Sequence, residues 1–199
     1  MIELLLAVLS ASAAAGMRIA LPLLVIGLVF GGDLWSRMPI LRNLSPPIVL
    51  GVLVSWSLLE IFASKNRVGQ RSLQIVQLLL SPIVGAMMGL AITQATDVPV
   101  WLSNLLGVVG GLLALVLQLV QVGWFYRLSG LPLWVIFVQD VLCVALVLFA
   151  FDAPRPGGII ALLLLWLAIR SSKNWQRWYR QQGRSGEKGD PRRYLQDPD

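Results

Sequence analysis

The chain has 199 residues, 57% of them hydrophobic and 13% charged, with a formal net charge of +6 and a mean hydropathy of +0.75. Soluble domains carry about 25% charged residues, so the composition excludes an ordinary soluble enzyme, a disordered chain and a disulfide-stapled scaffold. Long apolar runs between short polar breaks read as an all-α integral membrane protein, because in lipid a helix satisfies its backbone polar groups within its own segment.

Six apolar segments follow in chain order, at about 4–29, 48–63, 73–95, 101–122, 133–151 and 158–172. Ala11-Ser12-Ala13 in the first resembles a signal-peptidase site. However, Glu3 stands where a secretory signal carries positive charge, and the segment reads as a span. Pro22 in the first segment and Pro82 in the third are candidate kinks. The second and sixth segments are short against the roughly 20 residues that a crossing needs.

Six crossings place the N-terminus, the 64–72 loop, the 123–132 loop and the tail on one side with twelve Lys and Arg, against three opposite. The positive-inside tendency then makes both termini cytoplasmic. Dropping the last crossing would set the basic tail opposite Lys65, Arg67 and Arg71. The domain reading is a six-span bundle over 1–170 followed by a cytoplasmic tail. Eight of the 16 basic residues lie between Arg170 and Arg193. Trp175, Arg177 and Trp178 fall in a basic, aromatic stretch, 171–183, suited to an interfacial helix among anionic lipid headgroups. A membrane-surface tail accounts for this charge without nucleic acid. Residues 184–199 lack an apolar pattern and read as disordered.

Arg18 and Asp140 are the charges farthest from any interface, where a charge costs at least about 2.5 kcal/mol. With spans one and five taken to run in the same direction, they differ in depth by about 5 Å, within reach of an arginine side chain. They are expected to pair or to share a polar cavity, with Gln139, Gln118 and Gln121 nearby. Such a pair either fixes helix register or forms a solute- or proton-responsive site. Glu60, with Lys65 just beyond, is either an interfacial anion or a contact at the cytoplasmic mouth.

Small residues recur four apart at Ser12 and Gly16, Gly85 and Gly89, and Gly107 and Gly111, a spacing that lets two helix backbones approach closely. Histidine is absent and Cys143 is the single cysteine. Ser-His-Asp and Cys-His arrangements, Cys/His zinc sites and haem ligation by His therefore lack their residues within one chain. No cofactor, metal or enzymatic activity is expected.

Several of these residues together resemble the bacterial membrane proteins of domain-of-unknown-function family 4126. The resemblance lies in Ala13-Ala14-Ala15-Gly16-Met17-Arg18 followed by Leu21-Pro22-Leu23, in Glu60 with Lys65, in Ser81-Pro82 with Gly85-Ala86, and in Asp140-Val141-Leu142. It covers most of residues 4–170. In that family an acid usually precedes the lysine matching Lys65, and an acidic residue precedes the aspartate matching Asp140. Here Ser64 and Gln139 stand at those positions. The resemblance implies a multi-pass protein of a bacterial cytoplasmic or internal membrane, and it implies no activity.

Two functions are consistent with the sequence. One is a small-solute or ion transporter, or a channel-like protein, using the polar groups around Arg18 and Asp140. The alternative is a non-catalytic scaffold or assembly factor that packs on partner helices, as a homo-oligomer or with another membrane protein.

Overall fold

The computed structural model describes residues 1–29, 45–63, 67–94, 96, 98–128 and 133–188. Among them are seven α-helices and no strand: α1 (Ile2–Met17), α2 (Ala20–Val29), α3 (Pro46–Ala63), α4 (Arg67–Gln94), α5 (Val100–Leu128), α6 (Leu133–Asp152) and α7 (Pro154–Lys188). Two stretches, Leu73–Gln94 and Val100–Gly123, are long and apolar enough to cross a membrane.

The centre of the bundle is α1, in which every residue from Ala7 to Met17 is buried. Most of these side chains are Ala, Ser or Gly, so α4, α5, α6 and α7 can all pack against one helix. Its hydroxyls bond to neighbouring backbones: Ser10 Oγ donates to Leu146 O at 2.7 Å, and Ser12 Oγ to Gly85 O at 3.1 Å.

The helices in most extensive contact are α4 and α5. A Cβ added to Gly85 would stand 2.8 Å from Gly110 O, and one added to Gly111 would stand 2.7 Å from Pro82 O. Backbone therefore lies on backbone, which only glycine permits. Toward one end the same pair is tied by Thr93 Oγ1 and Ser103 Oγ, 2.6 Å apart. Toward the other, Gln118 Nε2 faces Gln77 Oε1 at 3.4 Å.

Residue pairing fixes the helix directions. Rising numbers in α4 meet falling numbers in α5, so the two are antiparallel. Val8 packs at Gly89 and Ser12 at Gly85, making α1 antiparallel to α4; Ser12 at Gly110 and Gly16 at Ala114 make α1 parallel to α5. Ser10 meets Leu146 while Arg18 meets Asp140, so α1 and α6 are antiparallel. This corrects the expectation that spans one and five run in the same direction. Ala153 alone separates α6 from α7, and α7 starts beside the beginning of α1, with Gly157 against Ser10, Gly158 against Leu6 and Arg155 2.8 Å from Glu3. On the margin, α3 packs mainly on α2.

The first apolar segment is two helices, not one kinked helix. Arg18 is extended (φ −143°, ψ 141°) after Met17, and α2 begins at Ala20. Pro22 explains the position of the break. It has no N–H to offer the carbonyl of Arg18 four residues earlier, and its ring crowds that carbonyl. The helix therefore fails one turn ahead of the proline, which itself fits the first turn of α2. By contrast, α4 continues through Pro82, leaving the Leu78 carbonyl without its usual helical donor.

At the other end of the chain, α7 takes in 171–183 without interruption and runs on to Lys188, past the point where composition suggested disorder; 189–199 lie outside the described residues. Large apolar side chains cover the outside, among them Ile75, Leu79 and Ile83 of α4, Leu105 and Leu112 of α5, and Leu163 and Leu167 of α7. Soluble monomers rarely expose contiguous apolar patches above a few hundred Å².

Candidate functional site

Because α1 stops inside the bundle, its last carbonyls lose their helical donors. Side chains of α6 reach one of them and a carbonyl one turn earlier that keeps its own donor. Gln139 Nε2 donates to Met17 O at 2.8 Å, and Cys143 Sγ donates to Ala14 O at 3.5 Å. Ala14 O also accepts the Arg18 N–H at 3.0 Å. Gln139 and Cys143 stand four apart and so share a helix face.

From the same break, the Arg18 side chain turns to α6. Its Nε lies 2.8 Å from Asp140 Oδ1, with the side chains 14% and 31% exposed. A cation near the C-terminal end of a helix is favoured by the negative end of its dipole, and Asp140 compensates the charge. The pair is therefore held by the α1 terminus as well as by the carboxylate.

A seam of amides continues from this pair. Gln139 Nε2 also lies 3.2 Å from Gln121 Oε1 on α5. One turn away on α5, Gln118 faces Gln77 of α4, and both are buried. Three buried oxygens here have no hydrogen-bond partner: Gln118 Oε1, Gln74 Oε1 and Ser81 Oγ. At 1.5 Å per residue, Asp140 lies about 10 Å from the start of α6, and Gln77 and Gln118 about 15 Å from the start of α4 and the end of α5. Those three helix termini are on the same side, so the seam lies well inside the bundle but nearer that side.

The structure thus brings together Arg18, Asp140, Gln139 and Gln121, with Gln118 one turn away. It places Gly16, Gly85, Gly89, Gly107 and Gly111 at the crossings among α1, α4 and α5. Glu60 is on α3, but its side chain lies outside the described residues, as does all of Lys65. Trp175, Arg177 and Trp178 are on α7, with their side chains likewise outside. Sequence reasoning missed Gln74, Gln77, Ser81 and Cys143. The first three carried a readable signal, since spacings of three and four put three polar residues on one face of an apolar helix. The sulfur contact to Ala14 carried none, because it depends on where α1 ends.

Among the described residues, an apolar segment broken into α1 and α2 packs with five further helices, and with charge and amides gathered at the break they define a helical bundle with an internal polar seam. The chain belongs to the domain-of-unknown-function family DUF4126, whose profile matches residues 5–174. That range includes all the seam residues and the first part of α7. No curated protein and no solved structure matches the chain.

Proposed function

We propose that this is an integral membrane protein in which the seam at the α1–α2 break is a site for passage of a small polar solute or ion. The carrying observation is the discontinuous helix, with released carbonyls, an Arg–Asp pair and glutamine amides collected at its break. Discontinuous helices in transporters present half-helix ends to substrates and coupling ions in this way. Asp140 adds support, since its side chain is 31% exposed on a helix whose Phe137 and Val141 face outward. A carboxylate at the edge of an apolar belt is best accommodated where it meets water. The scaffold alternative draws less support, because the glycine stripe is occupied by crossings within the bundle. In this reading the protein is non-enzymatic, without a resident cofactor, and its basic tail meets anionic headgroups.

The helix directions favour a revised topology, with the two ends of the chain on opposite sides. The starts of α1, α5 and α7 share one end with the termini of α4 and α6. Among the described residues at that end, Arg155 is the one basic group, and it pairs with Glu3. The opposite end carries Arg67, Arg71, Arg127 and the run from Arg170 onward. The positive-inside tendency makes that end cytoplasmic. Between the end of α1 and the start of α4 the chain makes no net crossing.

A Gln121→Cys variant in a Cys143→Ser background tests whether the seam is wet; serine keeps a donor for Ala14 O. In lipid nanodiscs, a small charged methanethiosulfonate reagent is expected to modify Cys at position 121 in the folded protein. Modification only after denaturation would contradict a solute pathway.

A further inference from the structure

We propose that the C-terminal end of α1 holds a monovalent alkali cation on its side facing α4 and α5. The register of the three helices points there. Val8 packs at Gly89 and Ser12 at Gly85, so the next turn sets Gly16 level with Ser81. On α5, a Cβ at Gly16 would stand 2.8 Å from Ala114 Cα and 3.1 Å from Leu117 Cβ. The last turn of α1 therefore lies beside the segment carrying Gln118.

Oxygen is what these elements offer. Ser81 is 0% exposed and Gln118 2%, yet Ser81 Oγ and Gln118 Oε1 have no partner, and neither does Gln74 Oε1 on the same face of α4. Pro82 leaves the Leu78 carbonyl, one turn away, without its helical N–H. For the carbonyls of Ala15 and Gly16, the described residues after α1 supply no backbone donor. The negative end of the α1 dipole points to the same place. Arg18 turns from this terminus toward α6, where its Nε bonds to Asp140.

Neutral oxygens in a desolvated site suit a cation that sheds its water readily. Ca²⁺ and Mg²⁺ sites draw on carboxylates, which this side of α1 lacks among the described residues, so the fit is to Na⁺ or K⁺. The role of the cation, coupling to the solute, rests on the pathway proposed above, whereas its binding is measured without transport.

The test is thermal unfolding of the full chain in nanodiscs, in NaCl, KCl and choline chloride at equal ionic strength. Ligand that binds the folded state raises the midpoint saturably. Na⁺ or K⁺ is expected to do so relative to choline, and Ser81→Ala and Gln118→Leu to abolish the rise. Gln118→Glu, which supplies a carboxylate, is expected to lower the half-saturating concentration about tenfold; it decides the matter should Gln118→Leu fail to fold. Equal midpoints in all three salts, or a cation-dependent rise unchanged in Ser81→Ala and Gln118→Glu, would overturn the proposal. A cation-dependent rise in a protein that transports nothing would uphold the site and remove the pathway.

Discussion

Arg18 and Asp140 hold one another at a depth where either alone would be costly, and the strength of that coupling is measurable. Breaking a fully buried pair costs about 3–5 kcal/mol, while exposed pairs contribute under about 1 kcal/mol. With one partner 14% and the other 31% exposed, Asp140→Ala is expected to fall between, at about 2 kcal/mol. A double-mutant cycle with Arg18→Gln should return much of that as coupling energy, read from unfolding in detergent or nanodiscs. Arg155→Ala is the contrast. Its bridge to Glu3 is 76% and 59% exposed, so stability should not change measurably. The pair itself was legible in the sequence, because a charge far from any interface demands a partner. Its level does not follow from parallel spans, since α1 and α6 are antiparallel. It forms because the end of α1 still meets the first half of α6.

At the scale of elements, two glycines on different helices should respond in opposite ways. Gly85→Ala forces a methyl against Gly110 O and Ala114, and overpacking of this kind costs about 1–3 kcal/mol. Gly51→Ala meets nothing within 4 Å and should gain several tenths of a kcal/mol from helix propensity. Unfolding midpoints of the two variants check both signs. Pro22→Ala restores an N–H to the Arg18 carbonyl. It is expected to extend α1 into α2, raise helicity by circular dichroism and disturb the Arg18–Asp140 contact. Unchanged helicity with an intact pair would show that the break has another cause. Helix existence was legible, since an apolar run underlies every helix, although six runs stand for the seven helices of the described residues and polar turns extend α4 and α5 beyond theirs. What could not be read was the site of the break, which falls one turn before the proline that causes it, or the continuation of α7 into a polar tail.

For the whole molecule, direction is the property that hydropathy hides. A segment that enters and leaves on one side has the same apolar signature as one that crosses. Counting six runs therefore puts both termini on the same side, whereas the contacts of α1 with α4 and α6 are the observation behind the topology proposed above. Among the described residues, Arg67, Arg71 and the run from Arg170 share one end in this arrangement, and the acids Glu3 and Asp152 lie at the other. In a Cys143→Ser background, Ile2→Cys and Ser185→Cys are expected to react with an impermeant maleimide from opposite faces of sealed membrane vesicles. Labelling of both from one face would restore the even number of crossings.

The central claim, that the seam at the break is a pathway, is tested most directly by flux in proteoliposomes. Wild type, Asp140→Asn and Arg18→Gln would be compared with empty vesicles, using a trapped pH dye for protons and uptake of labelled sodium and small neutral and charged solutes. The account predicts flux above background for the wild type with at least one of these probes, and a loss of most of it in both variants. Wild-type flux indistinguishable from empty vesicles across the probes, or flux that both variants retain in full, would contradict it.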